Sequence, residues 1–409
     1  MTKIFQNRVH SQPSRQEAEK KSSTPYVDNK PHHVTGIASD SDNTPLSNCK
    51  KIRAIHICLP LDDNLGDELA HAIISPLFQQ YNIDLEIKKI DVMKLMIEAK
   101  YMDDEIDSIN RSYDVVLIGA GGFMGYKLID SIFYDANNWY KINIPVCFVG
   151  VGIIANAGGL NFYSTLDDTS SLGKALSIAK LVGVRDLNSW LLASRIIGQD
   201  SNRIMLTGCP TMQFVRVPTQ NKKYSIAINI PFSHGVCQQF ADMLRIIVVS
   251  LKENRNRVLW VCHSDIEERE AKSLIKQCDL AFDIVRPRTS VEAGIAYSSC
   301  RLALVVKAHA AIFCLANKVP FGFISYDIKC LQLMSMIVDD PYKYIIPIEL
   351  TVEPDILQRV KNLLGHIENT QMNFSLAEQL LSKYFDTEIN RYMKNFVDLL
   401  SSKKSNNKL

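Results

Sequence analysis

The sequence predicts an α/β protein with two tandem doubly wound Rossmann-like domains that face each other across a cleft. Three observations predict this fold. Short apolar runs alternate with stretches of helical length from Lys51 onward. Apolar runs of this kind are typical of parallel strands buried on both faces and connected by helices. The length of 409 residues suits two domains. A polar segment with two prolines, CPTMQFVRVPTQNKK, interrupts the alternation near its middle.

The elements of the first domain follow from this alternation. Its predicted strands are the apolar runs IRAIHICLP, LEIKKIDV, DVVLIGAGG, PVCFVGVGI, LVGVRD and RIMLTG. Amphipathic spacing predicts a helix over Glu68–Gln80 and another in DLNSWLLASRIIG. A glycine turn follows the third strand at its carboxyl end.

The second domain repeats the pattern. Its predicted strands are YSIAINIP, VLWVCHS, FDIVRP, RLALVVKAH and VPFGFISYD. The predicted helices between them are Gln238–Glu253, Ile266–Gln277, Val291–Ser299 and Ala310–Asn317. A further stretch, from about 353 to 402, has helical periodicity, and we expect it to pack back onto the core.

Both ends of the chain are rich in Ser, Asn and Lys and lack apolar periodicity. Such segments bury too little surface to offset the entropy of ordering the chain. The predicted organisation is therefore a disordered segment 1–50, an N-terminal domain 51–217, a C-terminal domain 218–350, C-terminal helices 351–402 and a disordered tail 403–409.

Composition excludes several classes of function. The 46 Lys and Arg against 44 Asp and Glu give a net charge of +2, which argues against a nucleic-acid binder because that role needs a basic face. Spanning helices and secretory signals need apolar runs that we do not find in the sequence. The ten cysteines form no CxxC pair. We therefore predict a cytoplasmic protein with reduced thiols and without a metal site.

Several sequence motifs of known chemistry are incomplete or absent in this sequence. In the turn GAGGFMG, a dinucleotide fingerprint would need glycine where Met124 stands. The P-loop pattern and the serine-hydrolase elbow do not occur in the sequence. Cys262 and His263 lack a third metal ligand at useful spacing. We therefore predict no dinucleotide cofactor.

Polar groups gather where predicted strands end, which is where open α/β sheets bind ligands. The candidate residues are Asn64, Gly66, Asp67, Gly121, Gly122, Arg185, Ser189, Lys307, His309, Tyr326, Asp327 and Lys329. The cations at the starts of helices suit an anionic ligand. Purely structural interpretations stay open at this point. Asn64, Asp67 and Ser189 are also preferred helix caps, and Arg185 has a neighbouring carboxylate with which to pair.

Taken in order, six segments resemble the polysaccharide pyruvyl transferase family. They are NLGDELAHAII, LIGAGGFMG, PVCFVGVGI, VGVRDLNSWLLASRIIG, TGCPTMQF and LALVVKAHAAIFCLANKVPFGFISYDIK. The resemblance covers about residues 52–338. Where the family has Arg-Leu-His, this chain has Lys307, Ala308 and His309. Lysine keeps the charge but lacks the planar fork of arginine, which leaves weaker donor binding, another substrate or lost activity open.

The resemblance implies an enzyme that takes phosphoenolpyruvate as its donor and needs no other cofactor. Its pyruvyl group passes to a sugar of a glycan or a lipid-linked precursor, in exopolysaccharide or other polysaccharide biosynthesis, as a ketal. A lipid-linked acceptor would bring the protein to the membrane surface. Protonating the enol carbon requires a general acid, and the anionic donor requires cations. The resemblance assigns His309 to the acid/base role and Arg185 and Lys307 to donor binding.

Two other functions are compatible with the sequence. A glycosyltransferase of the GT-B type, which also has two facing Rossmann-like domains, would use a nucleotide-sugar donor in the same cleft. A degenerate family member would bind a glycan or a partner protein without catalysis, and the Lys307-Ala308 pair is the best support for that interpretation.

Overall fold

Two parallel sheets of six strands each form the framework of the protein. The computed structural model describes residues 50–58, 65–91, 102–124, 136–153, 170–198, 201–213, 217–218, 220–232, 238–251, 257–325, 327–347, 354–370, 372, 374 and 387–406. The predicted disordered segment 1–50 lies outside these residues except for Lys50, where the first strand begins. All described residues belong to one contact-defined unit, Ser47–Leu409.

The first sheet contains the six strands predicted for the first domain. Their bounds are β1 Lys50–Cys58, β2 Ile83–Asp91, β3 Val115–Gly121, β4 Val146–Val151, β5 Leu181–Val184 and β6 Ile204–Leu206. They pair in the order β2-β1-β3-β4-β5-β6, and every pairing is parallel. β3 and β4 are buried along their whole length, as a sheet covered on both faces requires.

The helices of the first half differ from the prediction in one place. They are α1 Leu65–Ala72, α2 Ile74–Gln79, α3 Met102–Ser112, α4 Ser171–Ile178 and α5 Leu187–Ile197. The single helix predicted over Glu68–Gln80 is broken at Ile73 into α1 and α2. The reason is Pro76, which has no N–H to donate to the carbonyl of Ala72. The sequence does not predict α3 or α4.

The second sheet contains the five strands predicted for the second domain and one more. Their bounds are β7 Tyr224–Asn229, β8 Val258–Val261, β9 Asp283–Val285, β10 Cys300–Val305, β11 Phe321–Ser325 and β12 Ile345–Pro347. They pair in the order β12-β11-β10-β7-β8-β9. The additional strand, β12, is short, lies at the sheet edge and ends in Pro347. An edge tolerates the missing N–H of proline, but so short a run gives little sequence signal.

The helices of the second half pack around this sheet, except for the last one. They are α6 Gln238–Ser250, α7 Asp265–Cys278, α8 Ser290–Ser298, α9 Ala308–Ala316, α10 Ile328–Ser335, α11 Ile356–Asn369 and α12 Thr387–Asn406. Four of them, α6 to α9, match predicted helices closely, whereas α10 is not predicted as a separate helix. Short 3₁₀ helices occur at Ala136–Lys141, Pro210–Gln213 and Pro341–Tyr344.

The last helix returns to the first sheet, which confirms that the C-terminal helices pack back onto the core. Tyr392, Met393 and Phe396 of α12 are buried in one cluster with residues of β1 and α2. The rings of Phe396 and Phe78 meet edge to face with their centroids 4.8 Å apart. Helix α12 also extends to Asn406, into the segment 403–409 that the sequence predicts as a disordered tail.

The two sheets meet at the carboxyl ends of their strands. The strand order reverses between β1 and β3 in one sheet and between β7 and β10 in the other, and ligands bind at such switch points in open α/β sheets. Leu65 and Leu69 of α1 belong to the apolar core around the second sheet. The backbone N–H of Leu65 donates to the carbonyl of His263, with an N···O distance of 3.0 Å.

Candidate active site

A small pocket, partly open to solvent, lies where the two sheets meet. Its lining residues come from both halves of the chain: Arg185, Asp186, Cys209, Ala308, His309, Ile312, Lys329, Gln332, Leu333 and Met336. The first three follow β5 and β6, and the rest belong to α9, α10 and the turn after α10. Two cations and an imidazole beside an apolar wall give this space the composition of a small-molecule site.

Arg185 follows β5 directly and is held by backbone and side-chain contacts. Its Nη2 donates to the carbonyl of Ile153 at 3.0 Å, and its Nε lies 3.5 Å from Oδ2 of Asp186. Gly152 makes room for the side chain, since a Cβ at position 152 would overlap the guanidinium group and its aliphatic stem. The side chain is 15% exposed. The contacts therefore orient a charged planar group at the pocket wall.

Asp186 and Ser189 serve first as structural groups. Asp186 caps α5, and its Oδ1 accepts hydrogen bonds from the backbone N–H and the hydroxyl of Ser189, both at 2.8 Å. The Ser189 hydroxyl oxygen accepts the backbone N–H of Ile153 at 3.0 Å. The capping interpretation of Ser189 is therefore wrong, because Asp186 is the N-cap and Ser189, the third residue of α5, donates to it. The resulting network fixes the end of β4 beside Arg185.

His309 lies in the first turn of α9, opposite the first turn of α1. A Cβ at Gly66 would overlap its imidazole ring, so the absence of a side chain at Gly66 allows the two halves to approach here. Burial and the positive charges of Arg185, Lys329 and Lys307 lower the pKa of His309 to about 3. The imidazole is therefore neutral in the free protein at physiological pH.

Lys307 has a different environment from the one expected. Its side chain is buried, and its ammonium group forms an ion pair with the carboxylate of Glu267 on α7. Glu267 also accepts the backbone N–H of His263 at 2.8 Å and the amide of Asn229 at 3.3 Å. Unlike His309 and Arg185, Lys307 is not among the residues that line the pocket. Its charge is compensated within the second half of the chain.

Lys329 and Asp327 lie at the start of α10. Asp327 is buried and caps this helix, with Oδ1 accepting the backbone N–H of Lys329 at 2.9 Å. Lys329 itself lines the pocket. Helix α9 starts at the same pocket, and the side chain of its N-cap residue, Lys307, makes no capping hydrogen bond. A helix N-terminus favours negative charge, so both the cations and the fold suit an anion.

The remaining candidates contribute indirectly or lie outside the described residues. Gly121 ends β3 and Gly122 follows it; both are buried, and the Gly121 carbonyl accepts the N–H of Gly152 at 2.8 Å. They thereby support the strand end on which Arg185 rests. Asn64 and Tyr326, which the sequence predicts as site residues, lie outside the described residues. The same holds for the side chain of Asp67.

Sequence reasoning missed Gln332, Gly152 and Glu267. Gln332 is one turn after Lys329 on α10, and Leu333 and Met336 continue the same helix face. A polar residue on the buried face of a short helix was the available signal. Gly152 and Glu267 carried no comparable signal, since their contacts join segments far apart in the sequence.

No group of three or more potential metal ligands occurs within the described part of the chain. In the same residues, no helix has both the length and the apolar character needed to cross a bilayer.

The two parallel sheets and their helices define a two-domain Rossmann-like α/β fold of the GT-B type. The model of the polysaccharide pyruvyl transferase family matches residues 64–328, more than half of the chain. The protein belongs to this family and is a transferase with a role in polysaccharide biosynthesis. A comparison with curated proteins found no match.

Solved structures with the same architecture support the fold. S. aureus MnaA in complex with UDP has 12% identity and a TM-score of 0.55, with 86% of this chain and 97% of that chain covered. A UDP-GlcNAc 2-epimerase from Neisseria meningitidis bound to UDP-GlcNAc has 10% identity and a TM-score of 0.54, with coverage of 86% and 100%. At this identity the likeness concerns the fold alone.

Proposed function

We propose that the protein transfers the pyruvyl group of phosphoenolpyruvate to a sugar of a glycan or glycan precursor. The products are a pyruvate ketal and inorganic phosphate. The observation that carries the proposal is the convergence of Arg185 and His309, from opposite halves of the chain, on one pocket. Family membership supports this chemistry over a nucleotide-sugar glycosyltransferase.

The donor carries a carboxylate and a phosphate, so its binding site needs positive charge. Arg185 offers a planar set of N–H donors suited to such groups, and Lys329 offers a point charge on the same pocket. The N-terminus of α9 adds its partial positive charge. We assign donor binding to Arg185 and Lys329. Lys307, which the family resemblance assigns to donor binding, forms an ion pair with Glu267 and would act by supporting the start of α9.

His309 then acts as the general acid. A bound multiply charged anion offsets the neighbouring cations and raises the pKa of His309 toward the range in which it carries a proton. Transfer of that proton to the methylene carbon makes the adjacent carbon electrophilic for a sugar hydroxyl. Loss of phosphate and attack by a second hydroxyl complete the ketal. Of the two hydroxyl protons released, one balances the new methyl group and the other leaves with phosphate.

The test measures phosphate release from phosphoenolpyruvate with a panel of hexosides and glycans, and identifies the ketal by mass spectrometry. UDP-sugars and ADP-glucose are offered in parallel. The proposal expects acceptor-dependent phosphate release that His309→Gln abolishes and His366→Gln, a change on α11, leaves intact. Consumption of a nucleotide sugar without phosphoenolpyruvate would instead identify a glycosyltransferase. Donor binding without turnover of any acceptor would identify a non-catalytic member.

A further inference from the structure

Gln332 has an environment that the donor-binding residues do not explain. It lies on α10 in the pocket wall and is only 5% exposed. Neither its amide nitrogen nor its amide oxygen has a hydrogen-bonding partner among the residues that the structure describes. A buried amide without partners is unfavourable for the folded protein. Such a group in a pocket wall is typical of a residue whose partner is the ligand.

The chemistry of an amide restricts what that partner is. Its nitrogen only donates hydrogen bonds and its oxygen only accepts them. Carboxylate and ionised phosphate oxygens accept but do not donate, so the donor's anionic groups would satisfy one half of the amide and leave the other half unpaired. A hydroxyl group both donates and accepts. Gln332 therefore fits a ligand that presents hydroxyl groups.

The surroundings of Gln332 point to the same class of ligand. Leu333 and Met336 follow it on the same side of α10, and Ile312 of α9 completes an apolar wall. Such a wall packs against C–H groups, which a sugar ring presents beside its hydroxyls. Lys329 and Arg185 supply the positive charge at this pocket. The lining thus combines groups for an anion with groups for a neutral polyol.

We propose that Gln332 binds a hydroxyl of the acceptor sugar and so contributes to acceptor specificity. The proposal rests on the proposed function, since it divides one pocket between an anionic donor and a hydroxyl-bearing acceptor. It assigns the donor to Arg185 and Lys329 and the acceptor hydroxyl to Gln332. The amide is carried by α10, the helix that also carries Lys329.

The test uses Gln332→Leu, with Gln277→Leu on the exposed face of α7 as the matched control and Lys329→Met as the donor-site variant. Binding of phosphoenolpyruvate and of a panel of 4-nitrophenyl hexosides is measured by calorimetry, and thermal unfolding is measured without ligand. Gln332→Leu should raise the unfolding midpoint by a few degrees, because it removes a buried unpaired amide. It should weaken hexoside binding about tenfold or more and change donor affinity less than twofold. Lys329→Met should weaken phosphoenolpyruvate binding about tenfold or more and change hexoside affinity less than twofold.

Three results would overturn the assignment. A lowered unfolding midpoint would mean that the amide is a structural group. Donor affinity reduced as much as by Lys329→Met would place Gln332 on the donor. If the wild type does not bind hexosides, or if wild type and Gln332→Leu bind them equally well, Gln332 does not bind the acceptor. Failure of the proposed function can be told apart from failure of the Gln332 assignment, because in that case the wild-type protein does not bind phosphoenolpyruvate.

Discussion

Gly66 of α1 lies against the imidazole of His309 at the start of α9, so that two helices from opposite halves of the chain meet at the candidate general acid. A backbone hydrogen bond from the N–H of Leu65 to the carbonyl of His263 also joins α1 to the second half of the chain. The spacing leaves no room for a Cβ at position 66. The position of His309 therefore depends on a residue more than two hundred positions away in the sequence.

Gly66→Ala should displace His309 or separate the two helices. Overpacking of this kind costs about 1–3 kcal/mol of stability, and a displacement near 1 Å reduces turnover by on the order of 100-fold. Chemical unfolding and steady-state phosphate release measure the two effects. Gly365→Ala on α11 is the matched control, because a Cβ there meets nothing within 4 Å. It should stabilise the protein by about 0.5–1 kcal/mol. Equal behaviour of both variants would contradict the packing argument.

Lys307→Met should destabilise the protein more than it weakens donor binding. It leaves the buried carboxylate of Glu267 without its counter-ion, and such a loss costs about 3–5 kcal/mol. Adding Glu267→Gln should recover part of this loss, since the amide is neutral and its oxygen still accepts the N–H of His263. Urea unfolding of the single and double variants measures the recovery. A stable Lys307→Met variant with much weaker phosphoenolpyruvate binding would instead return Lys307 to the donor site.

Stability should fall as the pH drops below about 6.5, because several histidines are buried in the neutral form. Burial lowers the pKa of His56 to about 4 and that of His71 to about 2. Burial and the charge of the nearby Lys307 lower the pKa of His263 well below its usual range. Below pH 6.5 the unfolded chain binds protons that the folded chain does not. Stability is thus fully present above that pH and declines below it.

The expected loss between pH 7.5 and pH 5 is about 2 kcal/mol for each of these histidines. Urea unfolding at the two pH values measures it. His71→Leu should reduce the difference between them, since it removes one group that only the unfolded state protonates. An unchanged difference in that variant would show that carboxylates and other groups determine the acid sensitivity.

Donor binding should be accompanied by proton uptake at His309. The pKa of this imidazole is about 3 in the free protein, and an anion beside Arg185 and Lys329 raises it. Calorimetry of phosphoenolpyruvate binding at pH 6, in buffers with different ionisation enthalpies, gives the number of protons taken up. The His309→Gln variant should lose the uptake that wild type shows. Uptake that persists in the variant would assign the proton to another group.

The sequence anticipated the sheets well because continuous apolar strands carry a strong local signal. All eleven predicted strands are present, and among the strands of the described residues only the edge strand β12 was missed. Where the helix prediction failed, at Pro76, a local rule on the proline N–H explains the break. The short helix α10 offered less periodicity, and so Gln332 was not seen as part of the pocket wall.

The candidate site was predictable in part. The position of Arg185 and His309 at strand ends was enough to place them at the edge of their sheets, and the structure brings them to one pocket. The environment of Lys307 was not predictable. Its partner, Glu267, lies on a different helix, and nothing local distinguishes a lysine that binds a ligand from one that pairs with a carboxylate.

The amino-acid sequence by itself determined the α/β class, the strands and the segments at which ligand-binding groups occur, because apolar periodicity and helix starts are local properties. Only the tertiary structure decided which of those groups share a pocket. Packing of α1 against the second half sets His309 beside Gly66, directs Lys307 to Glu267 and leaves Gln332 in the pocket wall. These contacts join residues distant in the chain, so they depend on the folded arrangement of both sheets.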